Sequence, residues 1–211
     1  MSSRPEPAEP PERTYQDEVR RVAGRWIAGL ERTSVTPDAL TLSGVGLCIA
    51  GAVAVYFEYL SGWLFILGGA LFVIGSVLDI LDGALARRSG KGTPFGAFLD
   101  STVDRVGEGF MLGAIGLVLV RDGSEWGVAL TFAAMGGSFL VSYTRARAEV
   151  MGLKGDVGFG SRAERVVVIS VGLAFAPFGS LPYVVAVLTA TAWLTVLQRI
   201  VFVRKQLAER T

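Results

Sequence analysis

Apolar residues along this chain are grouped into six long stretches, and short connections between them contain most of the charged and turn-forming residues. A helix needs about 20 consecutive apolar residues to cross the hydrocarbon core of a bilayer, and all the stretches except the fifth approach that length. The stretches cover residues 39–59, 63–86, 96–120, 126–148, 166–178 and 181–203. The pattern predicts an all-α, polytopic membrane protein in which residues 36–205 form six transmembrane helices and residues 206–211 form a C-terminal tail.

The first 35 residues lack such a stretch. Residues 1–13 are rich in proline and glutamate, which predicts a disordered tail. In the segment 14–35, apolar side chains recur at helical spacing and arginines occupy other positions on the helical wheel. The apolar positions are Val19, Val22, Ala23, Trp26, Ile27 and Leu30. We therefore expect an amphipathic helix that lies on the membrane surface before the first span.

Basic residues lie almost entirely at one end of the predicted spans. The connections 58–62 and 177–182 contain no Lys or Arg, and only Arg121 of the 20 basic residues lies at their end. Since Lys and Arg are enriched in cytoplasmic connections, both termini and the charged connections are predicted to face the cytoplasm, in the plasma membrane. The net charge of +1 gives no support for a nucleic-acid partner. The sequence contains no histidine, which leaves carboxylates as the candidate acid–base groups.

Four aspartates lie at the basic end of the second and third stretches. Asp79 and Asp82 are three residues apart, and Asp100 and Asp104 are four apart, so each pair shares one face of a helix. Two facing pairs of carboxylates repel each other in a low-dielectric setting unless cations neutralise them. This arrangement predicts a site for Mg²⁺ or Mn²⁺, which prefer oxygen ligands. The alternative is that the four residues form separate salt bridges at helix ends.

The segment 79–104 resembles the signature of CDP-alcohol phosphotransferases, DxxDGxxAR(x8)GxxxDxxxD. The matching residues are Asp79, Asp82, Gly83, Ala86, Arg87, Gly96, Asp100 and Asp104. The resemblance implies a homodimeric membrane enzyme that transfers a phosphatidyl-type group from CDP-diacylglycerol (CDP-DAG) to a hydroxyl and releases CMP. It also implies that the first three aspartates bind two metal ions and that Asp104 is the general base and a further metal contact.

The start of the first stretch is a candidate nucleotide site. Thr36 and Pro37 are an N-cap and a first helical residue, and a helix N-terminus offers free N–H groups to a phosphate or ribose. The resemblance places part of the CDP site at this helix start, in the turn before the third stretch and at residues of the signature. The residues implied are Asp38, Ala39, Leu40, Thr41, Gly83, Arg87, Thr93 and Gly96.

The acceptor site is predicted from polar residues in the last three stretches. Ser142 and Arg145 lie on one face of the fourth stretch, Arg165 opens the fifth, and Arg199 lies within an apolar run. Converging arginines predict a site for a phosphorylated alcohol, because a dianionic phosphate needs positive charge around it. For Arg147 and Arg162, the bias of basic residues toward the cytoplasm is a sufficient explanation.

Two short runs, 142–149 and 162–165, resemble the actinobacterial and archaeal inositol-phosphate branch of the family. The resemblance implies that the acceptor is inositol 1-phosphate. Glycerol-3-phosphate is an alternative acceptor, since its phosphate can use the same arginines. A divalent-cation transporter with an acidic filter is an alternative of another class, although transport sites normally lie near the bilayer midplane and these carboxylates lie at helix ends.

Overall fold

A computed structural model describes residues 36–90, 92–158 and 160–210. All regular structure in these ranges is helical, which confirms the predicted all-α class. The α-helices are α1 (Pro37–Tyr56), α2 (Trp63–Ser89), α3 (Pro94–Arg121), α4 (Glu125–Val150), α5 (Arg162–Ala174) and α6 (Leu181–Ala208). Short 3₁₀ turns follow α1 at Glu58–Leu60 and α5 at Ala176–Phe178. The tail predicted for 1–13 and the amphipathic helix predicted for 14–35 lie outside the described residues.

Four of these helices are long and apolar enough to cross a membrane: α1, α2 over Trp63–Ala86, α4 and α6. This fits the predicted membrane protein. The remaining two helices differ for separate physical reasons. Helix α3 has 28 residues, but charged side chains occupy its first half, whereas α5 has only 13 residues and begins with charged ones.

Local sequence signals set where the odd-numbered helices begin. Thr36 and Thr93 are the N-caps of α1 and α3, and each is followed by proline at the first helical position. Their hydroxyls accept hydrogen bonds from the N–H groups of Ala39 and Gly96, at 3.2 and 2.9 Å. Ser161 caps α5 through a capping box, in which its side chain and that of Glu164 each bond the other residue's N–H.

Helices α1 and α2 approach closely because glycines face each other at two levels. A Cβ atom added to Gly44 would lie 2.8 Å from the carbonyl oxygen of Gly75, and one added to Gly51 would lie 2.7 Å from that of Gly68. Side chains at these positions would push the backbones apart. The two helices therefore form a closely packed pair, with α3 against α1 and α5 against α2.

An apolar core joins the remaining helices to this pair. It contains Val55 of α1, Phe72 of α2, Met111 of α3, Ile169 of α5 and Leu188 of α6, each at most 2% exposed. Helices α4 and α6 pack along each other at one side. The core fixes the helices relative to one another and leaves the charged residues at one end of the bundle.

The opposite end of the bundle is aromatic, and Arg121 is its single basic residue among the described residues. Arg121 donates to the Tyr56 carbonyl at 2.6 Å and to Glu58 Oε1 at 3.0 Å, and its guanidinium lies over the Tyr56 and Tyr59 rings. Exposed Trp63 lies at the same end, at the start of α2. Aromatic residues of this kind are typical of a membrane–water interface.

Candidate metal and nucleotide site

The predicted aspartates converge where the end of α2 meets the start of α3. Carboxylate oxygens of Asp79, Asp82 and Asp100 all lie within 4.8 Å of one another. Asp104 belongs to the same group, because Arg162 Nη1 contacts both Asp79 Oδ2 and Asp104 Oδ1, the latter at 2.6 Å. Helical spacing on two neighbouring helices thus brings all four carboxylates to one place.

These carboxylates fit a hard divalent cation. Asp82 is only 2% exposed, and Asp100 Oδ1 is buried and faces no N–H or O–H donor among the described residues. A buried carboxylate oxygen without a donor is costly unless a cation lies beside it. Clustered carboxylate oxygens are the ligands that Mg²⁺ and Mn²⁺ prefer. The donor set therefore fits the predicted ions, with Asp79, Asp82 and Asp100 as the residues that would hold them.

Two flanking side chains orient the carboxylates. Thr41 of α1 donates its hydroxyl to Asp82 Oδ2, so the start of α1 fixes a carboxylate of α2. Arg105 Nη1 lies 3.4 Å from Asp104 Oδ2 and also donates to the Ser101 carbonyl. Among the described side chains, Arg162 is the cation closest to the aspartates. The sequence interpretation missed this contact, because it attributed Arg162 to the charge bias of cytoplasmic connections.

A cavity of about 220 Å³ adjoins the aspartates between the starts of α1 and α3 and the end of α2. Five of the predicted CDP-site residues line it, together with Asp82 and Asp100. The five are Asp38, Thr41, Gly83, Thr93 and Gly96. A Cβ atom on Gly96 would lie 3.2 Å from Thr93 Oγ1 and 3.3 Å from Asp38 Oδ1, so glycine keeps this corner open.

The other three predicted CDP-site residues are placed differently. Leu40 is buried and packs against Leu85 of α2. Ala39 is exposed and contributes its N–H to the α1 cap. Neither residue lines the cavity, because successive residues of a helix point in different directions. The side chain of Arg87 lies outside the described part of the structure.

One helical turn beyond Asp104, a second ionic cluster is buried between α3, α4 and α5. Arg165 Nε and Nη2 donate to the two oxygens of Glu108 at 2.6 and 2.8 Å. Ser138 of α4 also donates to Glu108 Oε1, at 2.8 Å, and Arg165 Nη1 donates to the Gly160 carbonyl at 2.5 Å. Glu108 was not predicted as a site residue. Its position four residues after Asp104, inside the predicted third span, was the available signal.

The predicted acceptor residues lie around α4, and each has a different hydrogen-bond or ion-pair partner. Arg199 is 7% exposed and donates to the carbonyls of Val157, at 2.9 Å, and Val141. Val141 lies one helical turn before Arg145 on α4, and Arg165 is linked to α4 through Glu108 and Ser138.

Arg145 and Ser142 are less constrained than the buried arginines. Arg145 is 56% exposed at its side chain and pairs with Glu149 one turn away. The Ser142 hydroxyl donates to the Ser138 carbonyl, one turn earlier on α4, at 3.4 Å. Only Arg145 of the three predicted arginines is therefore open to solvent in the described structure.

Comparisons with known proteins agree with the geometry. A family model described as CDP-alcohol phosphatidyltransferase matches residues 34–198. The chain is 37% identical over 173 residues to the phosphatidylinositol phosphate synthase of Mycobacterium tuberculosis, which covers 79% of this chain and 75% of the relative. It is 35% identical over 196 residues to the archaetidylinositol phosphate synthase of Methanothermobacter thermautotrophicus, which covers 90% and 95%.

The fold is also similar to crystal structures of the M. tuberculosis phosphatidylinositol phosphate synthase. One, with CDP-DAG bound, has a TM-score of 0.77 and 31% identity and covers 87% of this chain and 94% of that one. Another, in complex with manganese and citrate, has a TM-score of 0.75 and 32% identity and covers 86% and 88%. The family match spans well over half of the sequence, and the chain therefore belongs to the CDP-alcohol phosphatidyltransferase family of enzymes.

Proposed function

We propose that this enzyme transfers the phosphatidyl group of CDP-DAG to a hydroxyl of inositol phosphate and releases CMP. The observation that carries the proposal is the convergence of four aspartates beside a cavity formed by two capped helix starts. The named relatives, which are phosphatidylinositol and archaetidylinositol phosphate synthases, support the choice of acceptor.

The cavity suits the cytidine diphosphate part of the lipid substrate. Residues at the starts of α1 and α3 line it, and helix N-termini favour phosphate or ribose oxygens. Gly83 and Gly96 let a nucleotide approach the backbone. The M. tuberculosis relative with CDP-DAG bound supports this assignment. Ala39, Leu40 and Arg87 remain part of the proposed nucleotide site.

Asp104 is the proposed general base. It takes the proton from the acceptor hydroxyl while that oxygen forms a bond to the lipid-side phosphorus, and the bond from this phosphorus to the CMP oxygen breaks. Asp79, Asp82 and Asp100 would hold two Mg²⁺ or Mn²⁺ ions, with Asp104 as a further contact. When bound, the ions supply positive charge beside the diphosphate and the departing CMP.

The acceptor phosphate is assigned to the basic region formed by Arg145, Arg165 and Arg199, with Ser142 beside it. Arg145 is the solvent-exposed member and would meet the incoming phosphate first, while Arg199 provides a charge that is already oriented by two carbonyls. Arg162 contacts Asp104 and shares the first turn of α5 with Arg165, and so adds a positive group at the reacting end. Charge-assisted contacts of this kind discriminate a phosphorylated alcohol from a neutral one.

An acceptor screen tests the proposal. The purified enzyme is supplied with CDP-DAG and Mn²⁺ or Mg²⁺, and CMP release is measured with inositol 1-phosphate, glycerol-3-phosphate, inositol or serine. We expect release with inositol 1-phosphate and little with unphosphorylated inositol. Preference for glycerol-3-phosphate would reassign the acceptor, and absence of CMP release with every alcohol would overturn the proposed reaction.

We also propose that α3 and α5 cross the bilayer with the other four helices. Both termini and the active site then face the cytoplasm, in the plasma membrane. We further propose that the enzyme is a homodimer. The basic end and the aromatic end of the bundle support this orientation. Cysteine labelling from each side of right-side-out vesicles, at Ser61 and at Arg147, tests the orientation. The mass of the purified protein, corrected for bound detergent, tests the dimer.

A further inference from the structure

The two ionic clusters form two tiers, one helical turn apart, and both tiers link α3 to α5. The outer tier contains the four aspartates, and in it Asp104 of α3 and Asp79 of α2 contact Arg162 of α5. The inner tier joins Glu108 of α3 to Arg165 of α5. Asp104 and Glu108 are four residues apart, and Arg162 and Arg165 are three apart, so each helix presents its two charges on one face.

The inner tier is the firm connection between these helices. Glu108 and Arg165 are 5% and 4% exposed, and the two hydrogen bonds between them are parallel, which fixes the guanidinium in orientation as well as in position. Ser138 adds α4 to the cluster, and the Gly160 carbonyl adds the connection that leads into α5. Backbone packing of α5 is chiefly against α2, so side chains supply its link to α3.

The position of Arg162 depends on this connection. Arg162 is the first residue of α5, and Arg165 lies in the same capped turn. A helical turn closed by a capping box moves as one unit, so the point at which Arg165 is held also sets where Arg162 can reach. The guanidinium of Arg162 contacts two of the four carboxylates of the site.

We propose that Glu108 is a positioning residue, which holds the first turn of α5 through Arg165 and thereby places Arg162 between Asp79 and Asp104. Loss of the Glu108 charge leaves Arg165 without its anion, and the first turn of α5 shifts away from α3. The carboxylates then lose a positive neighbour, and the reacting end of the site loses a cation. The consequence for turnover rests on the proposed function; the placement of Arg162 does not.

The test is a double-mutant cycle on the full-length enzyme with Glu108→Gln, Arg162→Gln and the double variant. Glu58→Gln is the matched control, because Glu58 pairs with Arg121 at the far end of the bundle. We expect Glu108→Gln to lower kcat about 10- to 100-fold, as loss of a residue that orients a site typically does, with KM for CDP-DAG within about three-fold. The double variant should match Arg162→Gln, since Glu108 acts through that residue.

Mn²⁺ binding gives a readout that needs no turnover. Arg162 competes with cations for Asp79 and Asp104, so Glu108→Gln and Arg162→Gln should each tighten Mn²⁺ binding by about three- to ten-fold, measured by electron paramagnetic resonance of free Mn²⁺. The double variant should bind no more tightly than Arg162→Gln. Because this titration needs no turnover, it tests the positioning of Arg162 even if the acceptor screen shows no CMP release.

Independent, multiplying effects of the two substitutions, or a Glu108→Gln variant that behaves like Glu58→Gln, would overturn the proposal. If Glu108→Gln does not fold, the same cycle is run with Glu108→Asp, which keeps the charge on a shorter side chain. We expect Glu108→Asp to retain more kcat than any neutral substitution. If the defect of Glu108→Asp adds fully to that of Arg162→Gln, the positioning role of Glu108 is likewise excluded.

Discussion

The outer and inner tiers are built from the same kinds of residues but differ in charge balance. In the inner tier, one carboxylate meets one guanidinium and a hydroxyl, and every oxygen of Glu108 has a donor. In the outer tier, the described side chains include four aspartates but two arginines, of which Arg162 contacts Asp79 and Asp104 and Arg105 lies beside Asp104. Asp100 Oδ1 faces no donor among the same residues. Balanced charge can stabilise a fold without added ions, whereas surplus negative charge creates a need for cations. That surplus distinguishes the tier that would hold the ions from the tier whose charges are paired.

The largest expected effect is on turnover, from removal of a single charge in the outer tier. Asp104→Asn removes the proposed base and leaves three aspartates for the ions, so turnover should fall by about 10²- to 10⁴-fold while CDP-DAG still binds. CMP release and CDP-DAG binding are measured on the same preparation. Turnover close to that of the wild type would assign the base to another group.

In the inner tier, a comparable change should act on stability. Arg165→Met leaves Glu108 buried and unpaired, and breaking a buried pair in this way costs about 3–5 kcal/mol of folding free energy. Denaturant unfolding in detergent micelles, with and without EDTA, measures the loss, which should not depend on the metal. Arg162→Gln is the comparison and should destabilise the metal-free protein far less. Equal losses for the two variants would contradict the division into tiers.

Metal ions should stabilise the protein through the outer tier alone. Binding only to the folded state contributes about 2.7 kcal/mol at a hundred-fold excess over Kd, so Mn²⁺ or Mg²⁺ should raise the unfolding temperature of the wild type. Asp82→Asn and Asp100→Asn should abolish most of this rise, while Glu58→Gln should keep it. A rise that survives in both aspartate variants would place the ions elsewhere.

The smallest expected effect concerns the acceptor. Arg145→Ala should reduce kcat/KM for the phosphorylated alcohol by about ten-fold, the lower end for a charge-assisted contact, because this side chain is half exposed. CDP-DAG affinity should stay the same. Arg147→Ala, an exposed arginine of the same helix, is the matched control. Identical kinetics for the two variants would remove Arg145 from the acceptor site.

The outer tier could be predicted from sequence because its spacing is local. Intervals of three and four residues fix the faces of α2 and α3, and Thr–Pro pairs mark the starts of α1 and α3. The cavity between those helix starts follows from the same signals. The all-α class follows from the apolar stretches. Four of the six predicted spans are long and apolar enough to cross a membrane, because α3 contains charged residues and α5 is short.

The contacts of the inner tier could not be predicted, because they join residues far apart in the sequence. Glu108 and Arg165 are 57 residues apart, and Arg162 is 83 residues from Asp79. A sequence shows that each arginine is present but not which carboxylate it meets. Arg165 was therefore interpreted only as an acceptor ligand, and Arg162 only as a cytoplasmic basic residue.

In the proposed topology, the aromatic end of the bundle also sets the depth of the aspartates in the membrane. Asp79 follows Trp63 by 16 residues of α2, and Asp104 precedes Arg121 by 17 residues of α3. At 1.5 Å per residue these distances are about 24 and 26 Å, less than the roughly 30 Å of a hydrocarbon core. In the proposed topology, with Trp63 and Arg121 at one interface, the carboxylates would lie just below the other. The lipid phosphate would then reach them while its acyl chains stay in the bilayer, and the water-soluble alcohol would be the substrate that has to descend.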